Sequence, residues 1–405
     1  MQRRIHVVFV ALAFGSAGLV ASSPPVSAVG SPSSIVVVPS TWTDPVTAHV
    51  FDLDATGGAD VSDGLNIWLG RGVTTGAIPQ GSAAAPTIIQ FPPNAQYRVE
   101  YGLETSSTGA DRVHPGVPQY RLAHAVIDFN GGRIFQTDDT AYKGGKPVVQ
   151  SRRRWGVQLL TLRLVDDVTI ENGTIQGHHP AASDTTYGPH ASWHGVQISG
   201  SSNVVLRDMT IDNVWGDFIY LGGTIDRSTR PAVHYHDMNI VVDDVAMNVN
   251  GRQGITISDA DGLVVQNSSI ASATRFVIDS EVLPTAVVRD ISFVHNEWND
   301  GGLGFFNMSA SPKADVGNLV FSGNVWMHGH MHLNIAATKG VTRHDLTIVD
   351  NTVGVVTGPS RSALVHALGW TGVVITGNAD PVVQGVKPLQ LTPGSDAVTT
   401  PNNFS

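Results

Sequence analysis

Short apolar runs, each interrupted by a bend that carries Asn, Asp or Gly, recur along the chain from about residue 126 to residue 378. Their period is roughly 24 residues, which lies in the range of solenoid repeats. Apolar and polar residues alternate within the runs, as in strands that bury one face. The pattern predicts an all-β solenoid, because each coil can bury its apolar side only by stacking on the next. The repeated cores read VTIENGTIQG (168–177), MTIDNVWG (209–216), VAMNVNG (245–251), SSIASATR (268–275), SFVHNEW (292–298), LVFSGNVW (319–326), LTIVDNTVG (346–354) and VVITGN (373–378).

One segment has a helical pattern instead. The sequence DVSDGLNIWL at 60–69 places Leu65, Trp68 and Leu69 on one helix face, and Ser62 is the expected N-cap. We expect a short helix over about 62–69 that covers the open apolar end of the solenoid, where strand edges would otherwise be unpaired. The following residues 70–86 are expected to form a loop.

Asparagines fall at similar places in several coils. Side chains stacked in this way can bond one another and satisfy the backbone of the bends. We therefore expect an internal asparagine ladder made of Asn172, Asn213, Asn296, Asn324, Asn351 and Asn378.

The beginning of the chain has the layout of a secretory signal peptide. Arg3 and Arg4 precede an apolar run, and small residues follow up to Ala28. The apolar run is too short for a membrane-spanning helix. We expect residues 1–28 to be removed and the mature protein to be secreted, extracellular and soluble.

The rest of the chain is expected to form one domain over 29–380, followed by a C-terminal cap and a loose tail over 381–405. The sequence contains 43 glycines, 22 prolines and no cysteine, with 41% hydrophobic residues. This composition is typical of a turn-rich β-protein without disulfides, and for an exported protein it favours a bacterial source. The net charge of −10 disfavours a nucleic-acid partner. We expect no membrane partner, and a monomer rather than an oligomer.

The repeats, the asparagine bends and the opening in which a helix is followed by a Phe-Pro strand resemble the right-handed parallel β-helix proteins, a group that includes pectate lyases, polygalacturonases and phage tailspikes. The resemblance covers about residues 50–380 and implies a single-stranded right-handed parallel β-helix with an N-terminal capping helix. It implies no specific activity. The polygalacturonase pattern of Asn-Thr-Asp, Asp-Asp and Gly-His-Gly is not present, and the nearest approaches are Trp215-Gly216-Asp217 and His328-Gly329-His330.

Strand alternation predicts which side chains point outward. Five coils can be aligned on inward positions, and the coil near 303–308, which lies between the last two of them, is passed over. The inward positions are Val196 and Ile198, Ile219 and Leu221, Ile255 and Ile257, Ile278 and Ser280, and Leu333 and Ile335. The residues between them form one outward row, which contains Gln197, Tyr220, Thr256, Asp279 and Asn334. A second outward row contains Ser199, Gly222, Ser258 and Glu281, and His332 lies just before Asn334. We therefore expect Asp279 and Glu281 to be exposed together on the outer wall, near Tyr220 and His332.

Two arginines occupy equivalent places one coil apart. Arg252 and Arg275 each precede a strand of the aligned set, and Asp279, Glu281 and Asp217 are the carboxylates within their expected reach. The arrangement is equally typical of an ordinary ion network at the bends and of a catalytic site in which arginine orients an acid. The candidate catalytic residues are therefore Asp279, Glu281, Asp217, Arg252 and Arg275.

Histidines and aromatic residues supply the candidate substrate contacts. A plain surface role is the commonest fate of such histidines, and a sugar-contacting or general-base role is the functional alternative. No cysteine or close carboxylate accompanies the pair His330 and His332, so we expect no metal site there. The candidate substrate-binding residues are Tyr220, His332, His194 and Trp215.

Three functions remain open at this point. The first is a secreted glycoside hydrolase that acts on a polymeric glycan, in which Asp279 and Glu281 serve as acid and as base or nucleophile. Residues i and i+2 of a strand lie about 6.5–7 Å apart. This distance is nearer the carboxylate separation of inverting glycosidases than that of retaining ones. The second is a polysaccharide lyase that uses Arg252, Arg275 or His332 as base, with calcium bound by the carboxylates. The third is a non-catalytic glycan-binding adhesin. No cofactor is expected, apart from calcium in the lyase.

Overall fold

The computed structural model describes residues 34–107, 120–137, 158–179, 192–226, 231–282, 284–299, 302–329, 333–337, 341–356, 365–380, 389–391, 398–399 and 403–404. Within them the strands of successive coils pair in parallel, residue on residue, as the repeat predicts. Among these residues the inner positions are filled by a continuous apolar core that extends from Val38 to Ile375.

Twenty strands form one long, bent sheet. In chain order they are Ser34–Val37, Thr87–Gln90, Gln96–Arg98, Ala123–Asp128, Arg133–Phe135, Asp166–Gln176, Ser202–Asp212, Asp237–Met247, Ala260–Gln266, Ser269–Ile270, Val287–Val294, Glu297–Trp298, Asp315–Ser322, Val325–Gly329, Arg343–Val349, Thr352–Val356, Trp370–Thr376, Ala379–Asp380, Val398–Thr399 and Asn403–Phe404.

Ten shorter strands, one from each coil, form a second parallel sheet that we call the short sheet. They are Leu103–Glu104, Leu160–Arg163, Val196–Ser199, Ile219–Leu221, Ile255–Ile257, Phe276–Val282, Gly304–Ala310, Leu333–Asn334, Val365–Ala367 and Leu389–Leu391. Three antiparallel pairs lie outside the coils, and they are Thr41–Thr43 with Val50–Asp52, Ser106–Ser107 with Tyr120–Arg121, and Thr224–Asp226 with Val233–Tyr235.

The helix is longer than predicted. It spans Ser62–Thr75 and ends at Gly76, which adopts a left-handed conformation with φ 77°. The start of the helix also differs from the prediction, in which Ser62 was the N-cap. The N-cap is Val61, and the Ser62 N–H donates to Asp60 Oδ1 at 3.1 Å. The expected apolar face is confirmed, since Leu65, Trp68 and Leu69 are buried against the core.

The extra turns arise from a close contact that the sequence does not show. Glycine disfavours helix interiors, and the added turns contain Gly70 and Gly72. In the structure a Cβ on Gly72 would stand 2.6 Å from the Ile78 side chain. The helix therefore continues because the chain that returns after Gly76 packs directly on the glycine surface.

The asparagine ladder is shorter than predicted. Asn296, Asn324, Asn351 and Asn378 are buried, and each amide bonds the next at 2.9–3.0 Å. The predicted members Asn172 and Asn213 are outside it; both have positive φ, and Asn172 instead donates to Asp128. Asn and Asp tolerate left-handed bends, so the same residue type serves a second purpose at other corners of the coil.

Asn324→Ala should destabilise the fold by at least about 2 kcal/mol, because its removal leaves several buried partners without a bond. Asn324 Oδ1 accepts the N–H of Asn296, and its Nδ2 donates to the carbonyl of Phe293. Urea unfolding measures the change. Asn248→Ala, at a half-buried position outside the ladder, is the control; equal losses for both variants would contradict the role of the ladder.

Strand pairing continues beyond residue 380, where we expected only a cap and a loose tail. Leu389–Leu391 pairs with Val365–Ala367, and Val398–Thr399 pairs with Trp370–Thr376. The apolar residues of this region are separated by Pro and Gly, which hides the repeat in the sequence. The predicted signal peptide lies outside the described residues. Among the described residues, no helix is long and apolar enough to cross a membrane.

Candidate active site

The candidate site lies on the outer face of the short sheet, and its register is the predicted one. Val196 pairs with Ile219, Ile219 with Ile255, and Ile255 with Ile278. The outward row therefore runs in the order Gln197, Tyr220, Thr256, Asp279, Asn307 and Asn334. Inward apolar residues fix this register because a slip of one residue would turn them all outward.

Asp279 is less exposed than predicted. It is only 4% exposed, although it faces outward, because side chains from both neighbouring coils cover it. Gln253 Nε2 donates to Asp279 Oδ2 at 2.8 Å, and Asn307 Nδ2 donates to Asp279 Oδ1 at 3.0 Å. The carboxyl is thus held in one orientation by two amides.

The pKa of Asp279 is raised to about 6, chiefly by burial and further by the nearby Glu281 carboxyl, against the opposing effect of the bond from Asn307. Glu281 also shares a hydrogen bond with Asp279. Two carboxyls in contact retain a proton between them, since both cannot be charged at low cost. Asp279 is the buried member, and it therefore holds this proton up to near-neutral pH.

Glu281 remains accessible and is oriented by arginine. Its side chain is 44% exposed, and Arg252 Nη2 donates to Glu281 Oε1 at 2.8 Å. The i, i+2 spacing predicted separated carboxyls, whereas the structure brings them into contact. The reason is that both lean toward one segment of the preceding coil, where Arg252 and Gln253 supply the donors.

Asp217 binds Arg252 from the buried side of the short sheet. It accepts from Arg252 Nη1 at 2.7 Å and from the Gln253 N–H at 2.9 Å. Asp217 is completely buried, and burial raises its pKa to about 7 against the opposing charge of Arg252. The structure places Asp217, the predicted reserve catalytic acid, beneath the outer face of the short sheet and without exposed surface. Its geometry is that of a positioning residue for Arg252.

His194 is also buried, behind the wall rather than on it. Its Nδ1 accepts the Asp217 N–H at 3.1 Å. Burial, together with the charge of Arg252, lowers the pKa of His194 to about 3, so its ring is neutral. The ring of Tyr220 stacks on it, with centroids 4.8 Å apart and planes at 16°. His194, a predicted substrate-binding residue, therefore lies behind Tyr220 and supports its ring.

A groove of about 410 Å³ opens in front of the two carboxyls. It is lined by Gln253, Arg275, Phe276, Asp279, Glu281, Val282, Asn307 and Ser309. Arg275 follows the predicted alignment, since its N–H bonds the carbonyl of Arg252 at 2.9 Å. The groove therefore combines an acid, an oriented carboxylate, a basic side chain and an apolar ring, which is the composition of a polar ligand site.

Two further predicted residues lie elsewhere. Trp215 does not line the groove; its Nε1 donates to His178 Nε2 at 3.0 Å, and its ring packs edge-on against His179. His332 lies outside the described residues. Tyr220 is two coils from Asp279 and shares a hydrogen bond with Ser258, and it does not line the groove.

Gln253 and Asn307 are the site residues that sequence reasoning missed. Asn307 occupied the one coil that the alignment passed over, and its identity as the outward neighbour of Asp279 follows from the same inward pattern, Phe306 and Met308. Gln253 lies in a bend, where strand alternation predicts no direction. Its amide also accepts the N–H of Phe276 at 2.9 Å, which fixes it between two coils.

Comparison with known proteins identifies the fold. No known protein family and no curated protein matches the sequence. Among solved structures, the chain is similar to PfbA, a surface adhesin of Streptococcus pneumoniae, with a TM-score of 0.54, 12% identity and coverage of 80% of this chain and 82% of that chain. It is also similar to the tailspike protein of E. coli bacteriophage HK620 in complex with a pentasaccharide, with a TM-score of 0.54, 15% identity and 85% of this chain covered. This chain spans 57% of the tailspike chain.

These similarities, together with the parallel sheets, confirm the predicted all-β fold, a right-handed parallel β-helix with an N-terminal helix. At such low identity they establish the architecture alone. The chemistry has to be argued from the groove.

Proposed function

We propose that this β-helix protein is a secreted glycoside hydrolase that cleaves a polymeric glycan in the groove, with Asp279 as general acid and Glu281 as base or nucleophile. The observation that supports the proposal is the unequal environment of two adjoining carboxyls. Asp279 is buried between two amides, whereas Glu281 is accessible and paired with Arg252. Neighbouring carboxyls whose environments differ in this way are the usual basis for dividing acid and base roles.

The first step of such a reaction is protonation of the glycosidic oxygen. The raised pKa of Asp279 keeps a proton available near neutral pH, and the bonds from Gln253 and Asn307 hold the carboxyl toward the groove. As the bond to the leaving sugar breaks, positive charge develops on the ring that remains. The Glu281 carboxylate then either takes a proton from a water molecule that attacks the sugar, or attacks the sugar itself; in the second case water, deprotonated by Asp279, hydrolyses the glycosyl–enzyme ester. The substrate replaces the mutual bond and separates the two carboxyls, because hydrolysis needs them at least about 5 Å apart; the accessible Glu281 side chain is the one that moves.

A lyase reaction is less well supported by the same contacts. It requires a base that accepts a proton, and both Nη atoms of Arg252 already donate, to Asp217 and to Glu281. Calcium prefers charged carboxylate ligands, whereas burial raises the pKa of Asp279 to about 6 and so disfavours its charged form. We therefore rank hydrolysis first.

The second candidate is a glycan-binding module without catalysis. It is favoured by two of the structurally similar proteins, one of which is a surface adhesin and the other a tailspike protein in complex with a pentasaccharide. Phe276 and the polar side chains of the groove would serve binding as well as catalysis. Only turnover distinguishes the two functions.

A panel of bacterial, plant and algal polysaccharides tests the proposal. Each is incubated with the purified protein and scored both for new reducing ends and for the absorbance of unsaturated uronides. Hydrolysis predicts reducing ends without the absorbance. Both signals together indicate a lyase, and binding without either signal indicates the non-catalytic module; each of these outcomes contradicts the proposal.

The pH dependence of turnover gives a directional test of the acid. Because Asp279 must be protonated, the rate should fall as the pH rises through about 6. The bond from Asn307 lowers the pKa of Asp279, so Asn307→Ala should move this alkaline limb to higher pH. The measurement is kcat/KM against pH for both proteins. Asp261→Asn is the control, because Asp261 lies in the long sheet, does not line the groove and pairs with Arg289. A limb that stays in place or moves to lower pH would exclude Asp279 as the acid.

A further inference from the structure

A second group of ligand-type side chains lies away from the groove. Nε2 of His234 is 2.9 Å from Asp259 Oδ2, and Nδ1 of His236 is 2.7 Å from Asp259 Oδ1. One ligand atom from each of the three residues lies within 4.8 Å of the other two. His234 belongs to the antiparallel hairpin of Thr224–Asp226 and Val233–Tyr235, His236 follows the hairpin, and Asp259 lies in the bend before Ala260–Gln266.

The Asp259 carboxyl points an unpartnered oxygen into this group. Its side chain is 4% exposed, and Oδ2 has no hydrogen-bond partner among the described residues in spite of the nearby His234 nitrogen. The contact is therefore close but poorly aligned as a hydrogen bond. Oδ1, in contrast, accepts the N–H of Val287 at 3.0 Å. A buried oxygen without a bond is costly, and a cation that receives both Oδ2 and the histidine nitrogen would satisfy it.

Gly223 keeps the space beside these atoms open. A Cβ at this position would collide with Asp259 Oδ2, and it would stand 2.8 Å from His234 Nε2 and 2.7 Å from the carbonyl oxygen of Tyr235. Any other residue would thus fill the space next to the two ligand atoms. The glycine is explained by that approach and not by its backbone conformation, because its φ is not in the left-handed region.

We propose that His234, His236 and Asp259 form a binding site for a divalent transition-metal ion, for which Zn²⁺ is the natural probe. Two imidazoles and one carboxylate suit zinc and its neighbours, whereas calcium prefers oxygen ligands alone. Zinc lies about 2.0–2.2 Å from such ligands, which puts tetrahedral ligands about 3.3 Å from one another. The two histidine–carboxylate distances, 2.9 and 2.7 Å, lie within about 0.6 Å of that separation. The histidine side chains are 26% and 30% exposed, which gives the ion access from solvent.

Such an ion would fasten the hairpin to the body of the β-helix. The hairpin supplies His234, whereas Asp259 belongs to the next coil and follows Ser258, the hydrogen-bond partner of Tyr220. The site lies one bend beyond the groove and uses none of its carboxyls. It therefore stands independently of the proposed hydrolase activity.

The test is Zn²⁺ binding to untagged full-length protein that has been treated with a chelator. Competition with a chromophoric zinc indicator should give one ion per chain, and zinc should raise the thermal midpoint, since a ligand of the folded state stabilises it. His234→Gln and Asp259→Asn should each weaken binding at least about tenfold, as expected when one of three ligands is lost. His344→Gln, which removes an exposed histidine 2.9 Å from Asp345, is the matched control and should bind like the wild type.

Gly223→Ala provides a variant that removes no ligand. Its methyl group should block the ion and abolish the zinc-induced rise in the thermal midpoint; if this variant does not fold, His234→Gln decides alone, because its ring is partly exposed. The proposal is overturned if the wild type binds no zinc. It is also overturned if the His234 and Asp259 variants bind as tightly as the wild type, or if calcium binds in preference to zinc.

Discussion

Asp279→Asn and Glu281→Gln should each reduce turnover by about 10²–10⁴-fold on any glycan that the wild type cleaves, because an acid or base that is lost in the transition state has effects of this size. The two variants should differ in stability. The side-chain amides of Gln253 and Asn307 donate to the two oxygens of Asp279. In Asp279→Asn one of these oxygens becomes an NH₂ group, so two donors face each other. We expect this mismatch to cost about 1–2 kcal/mol.

Glu281→Gln should leave the thermal midpoint nearly unchanged, because the side chain is almost half exposed. Single-turnover or steady-state rates, measured well below the thermal midpoints, separate loss of chemistry from loss of fold. Asp261→Asn is the control and should keep wild-type activity. Full activity in either groove variant would remove that residue from the proposed pair.

Arg252→Ala should have the largest effect on stability, about 3–5 kcal/mol at neutral pH, because it leaves Asp217 as a buried carboxyl without its partner. Arg289→Ala is a matched control, since Arg289 also bridges two carboxylates of neighbouring coils, Asp261 and Asp315, but is 46% exposed. Exposed pairs contribute little, so this variant should lose less than about 1 kcal/mol. Equal losses of unfolding free energy in the two variants would contradict the greater contribution of the buried ion pair between Arg252 and Asp217.

The loss of unfolding free energy in Arg252→Ala should depend on pH, because it arises from the ionisation of Asp217. The pKa of Asp217 is about 7 in the folded state and about 3.8 in the unfolded chain, so protonation favours the folded state. This stabilisation is complete below about pH 3.8 and is lost as the pH rises through 7. Without Arg252 the folded-state pKa should rise further, because that charge lowers it. Urea unfolding should therefore show a larger deficit for Arg252→Ala above neutrality than at about pH 5. A deficit independent of pH would contradict the assignment to Asp217.

The sequence was sufficient to predict which side chains form the outer face of the short sheet and how its strands are aligned. Apolar residues at every second position, such as Ile255 and Ile257, can face only the core, and this alone places Thr256 outward. The same logic placed Asp279 and Glu281 on one face of one strand. Periodicity specifies direction well, because the energetic cost of turning several apolar side chains to solvent is large.

Burial on that wall could not be predicted in the same way. Asp279 points outward and is nevertheless covered, because Gln253 in a bend and Asn307 one coil away reach over it. Asp217 and His194 precede strands of the wall and were expected at the surface, yet both lie beneath it. These positions depend on the path of the bends, where the two-residue period ends. The ladder shows the same limit, since Asn296 and Asn172 look alike in sequence but occupy opposite sides of the coil wall.

The most direct measurement is a crystal structure of the Asp279→Asn variant with an oligosaccharide of the glycan that the wild type cleaves. The proposal predicts a sugar ring in the groove, with its glycosidic oxygen within hydrogen-bond distance of residue 279 and its anomeric carbon facing Glu281. An oligosaccharide bound on another face of the β-helix, or bound in the groove with its glycosidic bonds away from both residues, would contradict it.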